Sequence, residues 1–346
     1  MARASIEQAR DQVAALVGVR PRQVVFTSGA TEAANAAVWG ATRARPSHPV
    51  LCAAVEHSSV RDASSHHGHA VTIPVDGMGR LDLAALESLL DEEPALVHCQ
   101  LGNHEVGTLQ PAGQVAALCR ERGVLCHVDA AAGAGHLPVH MGDLEADLMS
   151  ISAHKFGGPK GAGALVMRAG LRIDPFIVGG EQERARRAGM ENTPALVGFG
   201  AAAEVLGRED RRREEELTAR ARTARISRLA GKLSGVTVYG DPRDRLPHIV
   251  CLGIEGVVAE GVLLGLDQGG IAVHSGSACS SESLAPSPVL EAMGVPPDQS
   301  LRVSVGWSTS DEDIAALEEA LPTVVKRLRS LGTPPSSGPS TRGLAR

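Results

Sequence analysis

Apolar residues in the first half of the chain gather in short, nearly continuous runs. These are Val24-Val25-Phe26, Val50-Leu51-Cys52-Ala53-Ala54, Ala70-Val71-Thr72-Ile73, Leu96-Val97-His98-Cys99, Val124-Leu125-Cys126-His127-Val128, Leu148-Met149-Ser150-Ile151 and Gly163-Ala164-Leu165-Val166-Met167. Runs without alternation predict strands covered on both faces, and the helix-length segments between them supply the cover. Thr31 to Gly40, Leu81 to Leu90 and Gly113 to Arg122 carry helical spacing. The pattern therefore predicts an α/β fold with a mainly parallel sheet in a large domain. Helical spacing resumes from Pro194 through Ala203 and, past a charged break, from Glu214 to Leu233. Smaller elements around Val236-Thr237-Val238, Ile249-Val250-Cys251-Leu252, Gly261 to Leu266, Val303-Ser304-Val305 and Ile314 to Leu331 predict a second, smaller α/β domain. The expected division is a large domain over 1–208, a connecting helix over 209–233, a small domain over 234–331 and a disordered Pro/Ser/Gly-rich tail over 332–346.

Composition narrows the class of protein. Hydrophobic residues make up 43% and charged residues 21% of the 346 positions, as in a soluble globular chain, while aromatics at 2% leave the core to Ala, Val and Leu. The formal net charge of -6 leaves no basic footprint, and the Arg-rich run from Arg208 to Arg213 is answered at once by Glu214-Glu215-Glu216, so nucleic acid is not the expected partner. No run reaches the length of a membrane span and the first residues lack the apolar stretch of a signal peptide, so a cytoplasmic enzyme is expected. The six cysteines have no CxxC spacing, which argues against a zinc site or a disulfide framework. Five lie in apolar contexts; Cys279 does not.

In sheets of this kind ligands bind beyond the carboxyl ends of the strands. Those ends carry Thr27-Ser28-Gly29-Ala30-Thr31, Glu56-His57, Asn103-His104, Asp129, and Ser152 with His154 and Lys155. A hydroxyl-rich turn opening a helix points free N–H groups at an anion, although Ser and Thr cap helices without any ligand. A lysine flanked by a hydroxyl and an imidazole, and followed by Phe156-Gly157-Gly158, has the makings of a Schiff-base amine. Taken singly, each residue has an ordinary reading as a cap, a turn or a solvated charge. Together they form the inventory of a pyridoxal-phosphate site: amine, pyridine-nitrogen carboxylate, phosphate cradle and stacking imidazole.

From Ile6 to about Leu331 the chain resembles a cysteine desulfurase of the class V aminotransferase group, within the fold type I pyridoxal-phosphate enzymes. The resemblance rests on Thr27-Ser28-Gly29-Ala30-Thr31-Glu32, Glu56-His57, His127-Val128-Asp129-Ala130-Ala131, Ser152-Ala153-His154-Lys155, Gly179-Gly180-Glu181-Gln182-Glu183-Arg184, Ser275-Gly276-Ser277-Ala278-Cys279 and Leu301-Arg302-Val303-Ser304. It implies a seven-stranded-type sheet, a Schiff base to Lys155 and an Asp129 pair with the pyridine nitrogen. It places the phosphate on Ala30, Thr31, Ser152 and His154, and His57 on the ring as a stacking and proton-moving group. His104 would face the phenolic oxygen, while Arg302 and Asn103 would receive the carboxylate of L-cysteine. Cys279, in the small and polar stretch His274 to Ser283, reads as the accessible nucleophile of a mobile loop. By resemblance it takes the substrate sulfur as a persulfide, leaves alanine, and hands sulfur to an acceptor protein, a cluster-assembly partner included. A homodimer is implied as well.

Several positions depart from the family pattern. Ala132 stands where the family has glutamine, His104 where it has the second asparagine of Asn-Asn-Glu, and Met190 where a threonine reaches the neighbouring subunit's phosphate. The resemblance also starts inside the family's first long helix, without the Asp-Asn-Ala-Ala-Thr-Thr-like segment. Each lost neutral hydrogen bond costs about 0.5–1.5 kcal/mol, so cofactor binding is expected to survive but weaken. A selenocysteine or C–S lyase, and a weakened homologue serving as a sulfur-transfer scaffold, remain alternatives.

Overall fold

The computed structural model describes residues 2–275 and 286–332. Cys279 and the tail from residue 333 lie outside the described residues. Seven strands form the larger sheet: β1 (Val24–Thr27), β2 (Pro49–Ala53), β3 (His69–Ile73), β4 (Leu96–Gln100), β5 (Leu125–Asp129), β6 (Leu148–Ser152) and β7 (Gly163–Met167), in the order β1-β7-β6-β5-β4-β2-β3. The pairs from β3 through β6 are parallel, and β7 runs against both β6 and β1. All residues of β1, β2, β4, β6 and β7 are buried, which is why their sequences run apolar without alternation.

A second sheet orders β10 (His274–Ser275), β11 (Ser300–Ser304), β9 (Ile249–Ile254) and β8 (Val236–Tyr239), antiparallel throughout. The predicted run Val303-Ser304-Val305 belongs to a strand that begins at Ser300, because Leu301 and Val303 share the buried face. His274 and Ser275, expected in a loop, pair with Arg302 and Leu301.

Two buried clusters match the two sheets. The smaller gathers Ile226 and Ala230 of the helix Glu209–Ala230 with Val250, Leu252, Leu301 and Leu321. The larger takes in Val289, Leu290 and Met293, around the short helix Pro288–Ala292, together with Cys251. Late segments of the chain are therefore anchored in the core of the first sheet, a packing that strand and helix periodicity do not reveal.

Three helices frame the carboxyl ends of the large sheet's strands. The helix Ala30–Ala44 lies on one face of the sheet, where Ala33, Ala37, Val38 and Ala41 meet Val25, Val50, Leu96, Leu148 and Leu165. Small residues let that helix approach closely and bring its N-terminus over the ends of β1 and β6. The helix Ser58–His67 comes after β2, and the helix Thr193–Gly207 packs Phe199 against Phe26 and Phe156.

Candidate active site

The carboxyl ends of β2, β4, β5 and β6 meet the start of the helix Ala30–Ala44 around a cavity of about 390 Å³. Ser28, Gly29, Ala30, Thr31, His57, Gln100, His104, Asp129, Ala132, Ser152, His154 and Lys155 all line it. Cap residue Gly29 offers the helix no side-chain bond, so the N–H groups of the first turn face the cavity without a capping group. Beside them Ser152 Oγ lies 3.0 Å from His154 Nδ1. Burial, together with the charges of Lys155 and Lys160, lowers the His154 pKa. Glu32 in the same turn is drawn outward: burial opposes its ionisation, but two bonds from Arg187, at 2.8 and 3.0 Å, and the Ser28 N–H lower its pKa. That pairing keeps its charge off an incoming anion.

Lys155 rides on a 3-10 turn, Ala153–Phe156, held by its buried ends Ala153 and Phe156. The turn closes at Gly157 with φ +88, and a Cβ at Gly158 would stand 2.9 Å from the Ala153 carbonyl oxygen. The ammonium side chain is thereby exposed into the cavity while its backbone carbonyl accepts from His136 Nε2 at 2.9 Å. Asp129, the last residue of β5, is 8% exposed. Its Oδ1 accepts from Ser150 Oγ at 2.9 Å and from the Ala131 N–H at 3.0 Å; Oδ2 accepts no bond among the described residues. A carboxylate oriented through one oxygen and open at the other suits a protonated ring nitrogen.

His57 caps the helix Ser58–His67, its Nδ1 accepting from the Ser59 N–H at 3.1 Å. Its ring meets the His104 ring edge-on with centroids 4.9 Å apart. Arg302, on β11, is half-buried and donates to the His104 carbonyl at 3.1 Å. It lines a second cavity of about 650 Å³, which shares His104, Ala132, His154 and Lys155 with the first. His136 and His248 stack at 3.6 Å on the wall of this second cavity. Burial lowers both pKa values, with Lys155's charge adding to each.

Two predicted residues stand elsewhere. Asn103 is fully buried, its Nδ2 donating to the Val55 carbonyl at 3.1 Å and its Oδ1 accepting from the Glu105 and Val106 N–H groups at 2.8 Å. The amide shapes the loop and is absent from the lining of both cavities. Met190 is 91% exposed and borders a separate cavity of about 770 Å³ with Arg3, Arg10 and Glu183. That larger cavity contains none of Lys155, Asp129 or Arg302, so size does not choose the site.

The sequence pattern gives no role to Ser150, Gln100 or Glu105, and none beyond motif membership to Glu56. Ser150 was accessible in principle, since Ser150 and Ser152 alternate onto one face of β6 and Asp129 pairs with Ser150. Glu56 is 1% exposed, accepts from the Gln100 N–H at 2.6 Å, and has a second oxygen with no hydrogen-bond partner among the described residues. Burial first, and then the charge of Asp129, push its pKa up to about 8. One layer deeper, His98 and His127 meet through their Nδ1 atoms at 2.8 Å, and burial holds His127 at about 4.

The family model for class-V aminotransferases matches residues 1–317. The chain belongs to the class-V aminotransferase family. Members of this family work with pyridoxal phosphate, and the cavity fits that group: an uncapped helix N-terminus for the phosphate, Lys155 for the aldehyde and the open Asp129 Oδ2 for the ring nitrogen. Among relatives, a protein named cysteine desulfurase from Trichormus azollae is 40% identical over 94% of this chain and 84% of its own length. Another, named cysteine desulfurase IscS 1, from Archaeoglobus fulgidus, is 40% identical over 95% of this chain and 88% of its own. The crystal structure of a NifS-like protein from Rickettsia africae superposes with a TM-score of 0.85 at 29% identity, covering 94% of this chain and 89% of that one. The fold is accordingly that of the family's large parallel sheet with a smaller α/β unit.

Proposed function

We propose that the protein is a pyridoxal-phosphate-dependent cysteine desulfurase that converts L-cysteine to L-alanine and moves the sulfur to Cys279 as a persulfide. The observation that carries this reading is the pair of adjoining cavities, in which Lys155 is common to the one holding Asp129 and the one holding Arg302. Bound in the first, pyridoxal phosphate supplies an electron sink for the α- and β-carbons of an amino acid. Ala30, Thr31, Ser152 and His154 would hold its phosphate, Asp129 Oδ2 would pair with its ring nitrogen, and His57 would lie against its ring. Lys155 Nζ anchors the cofactor and carries a proton between positions of the substrate. Arg302 receives the substrate carboxylate in the second cavity, which points the side chain of L-cysteine along the shared wall.

The Cys279 thiolate attacks the substrate sulfur; the S–S bond forms as the substrate's carbon–sulfur bond breaks, the electron pair remains with the carbon fragment, and that carbon takes a proton carried by Lys155 Nζ before the fragment leaves as alanine. The persulfide then serves a sulfur-acceptor protein for iron–sulfur clusters or other thio-compounds, with the enzyme acting as a cytoplasmic homodimer. Among the described residues no helix is long and apolar enough to cross a membrane. A visible spectrum of purified protein with pyridoxal phosphate, before and after L-cysteine, tests the reading. Wild type gains a Schiff-base band that Lys155→Ala lacks, and persulfide appears on wild type but not on Cys279→Ala. Full sulfide release by Cys279→Ala, with no added nucleophile, would overturn the desulfurase in favour of a C–S or selenocysteine lyase.

A further inference from the structure

A four-residue 3-10 turn leaves its last carbonyls without donors of its own, and the Lys155 carbonyl takes one from outside, the His136 Nε2–H at 2.9 Å. A carbonyl oxygen can only accept, so this contact fixes the His136 ring with a proton on Nε2. His136 belongs to the loop that follows Asp129 at the end of β5. A close approach puts it there: at Gly135, φ +81, a Cβ would stand 2.6 Å from the Phe156 Cβ. The face of the His136 ring is stacked on His248, with centroids 3.6 Å apart and planes 19° apart. His248 immediately precedes β9, and its carbonyl accepts from the Val305 N–H at 2.9 Å, just past the end of β11. Its Nδ1 has no hydrogen-bond partner among the described residues, so the ring face makes the contact. The strand β11 carries Arg302.

We infer that His136 is the positioning residue of Lys155, its Nε2–H holding the Lys155 carbonyl so that Nζ is aimed at the wall shared by the two cavities, and that His248 holds the His136 ring in place by stacking on it. The inference rests on the desulfurase reading above for the amine's task, though not for the contact itself. A lysine side chain is a flexible stem, so its aim is set by how firmly the peptide behind it is held. Fixing the Lys155 carbonyl fixes the direction in which that stem leaves the backbone. Misplacement of a reacting atom by about 1 Å costs about 100-fold in rate. The loop after β5 with Asp129, the turn after β6 and, through His248, the smaller sheet with Arg302 all converge on this one carbonyl. Ring-nitrogen carboxylate, amine and substrate clamp are therefore set relative to one another through a pair of imidazoles. Both rings are held neutral: burial comes first in lowering each pKa, with the bond to the Lys155 carbonyl opposing it at His136 and the His136, Lys155 and Arg302 charges adding to it at His248. A neutral His136 carries a single N–H, and the carbonyl uses it.

The test separates the bond from the stack, in the holoenzyme and in the full cofactor-free chain. Glutamine brings an amide donor close to where the histidine Nε2 stands but has no ring, whereas phenylalanine keeps the ring and has no donor. His136→Gln is expected to hold kcat for L-cysteine within about threefold of wild type, and His136→Phe to lose about 10- to 100-fold, with KM within about twofold in both. His136→Ala, which cannot overpack the loop, should match His136→Phe. His248→Phe should keep kcat near wild type and His248→Ala should lose about tenfold. In the cofactor-free chain, heteronuclear NMR should find His136 protonated at Nε2 alone. Relaxation of the Phe156 amide, which shares its peptide plane with the Lys155 carbonyl, should show added motion in His136→Phe and none in His136→Gln. Wild-type kcat in His136→Phe and His136→Ala, an equal loss in His136→Gln and His136→Phe, or a wild-type His136 protonated at Nδ1 alone would sink the inference. A wild-type protein that forms no Schiff-base band with pyridoxal phosphate defeats the desulfurase reading alone, since the His136 tautomer and the Phe156 relaxation still decide whether His136 holds the Lys155 peptide.

Discussion

The two ends of the cofactor cavity are built by different means. At the phosphate end the anion cradle is local: the strand β1, the turn Ser28-Gly29 and the helix Ala30–Ala44 are contiguous, and Ser152 and His154 are two residues apart. At the substrate end, Arg302 reaches the His104 carbonyl across 198 positions and Ser287 reaches Glu105 across 182. The first end relies on backbone N–H groups that any sequence supplies once the helix starts there. The second relies on side chains that meet only when the smaller sheet and the helix Pro288–Ala292 are docked. Substitutions at the substrate end should therefore act on substrate and pH behaviour, and those at the phosphate end on cofactor affinity.

The largest effect expected from this contrast lies between the two ends, at Glu56. Its folded pKa of about 8 stands above the ordinary glutamate value of 4.5, so between those pH values the folded state carries a proton that the unfolded state has lost. Stability is then fully present below pH 4.5 and falls by about 1.4 kcal/mol per pH unit up to about pH 8. Glu56→Gln cannot titrate, so urea melts from about pH 5 to about pH 8 should show its stability rising steadily relative to wild type. A constant difference across that range would mean that Glu56 is ionised throughout. Next in size is Arg302→Ala. Loss of a charge-assisted contact of about 1.5–3 kcal/mol should raise the KM for L-cysteine roughly tenfold to 150-fold, with the cofactor band intact. A variant that instead lost the cofactor would erase the distinction between the ends.

Ser152→Ala should do the reverse. Removing one hydroxyl at the phosphate end should weaken pyridoxal phosphate by about 0.5–1.5 kcal/mol and leave the KM for L-cysteine nearly unchanged, as fluorescence titration of the cofactor and steady-state rates would show. The smallest effect concerns Ala132, on the wall that both cavities share. Ala132→Gln supplies a donor where alanine has none and should tighten cofactor binding by up to about tenfold in the same titration. No change there would mean that His104 already occupies the donor position.

Legibility in the sequence obeys the same division. The strands of the large sheet fall where apolar runs place them, and for all but the half-exposed edge strand β3 this is because burial on both faces leaves a composition signal that needs no partner. Lys155, Asp129, Thr31 and His57 are legible because each ends a strand or opens a helix in a fold whose sites lie at such ends, and they do line one cavity. Asn103 is the instructive exception. Its place in a motif suggests substrate contact, but its amide bonds the backbone of its own loop and of Val55, something only the loop's closure could show. Glu105 carried only its place in the Asn-Asn-Glu pattern and Ser287 no signal, and their pairing spans 182 positions.

Covalent order alone settled the set of elements and the chemistry at their ends. Hydrophobic period and the residues that terminate strands are local properties, governed by burial of one face or two. Which polar groups share a wall was left to the packing of the folded chain. The open oxygen of Asp129, the protonated Glu56 and the carboxylate behind His104 all depend on distances between segments far apart in the chain. The electrostatics of a buried group are set by such distances and by the water it has lost.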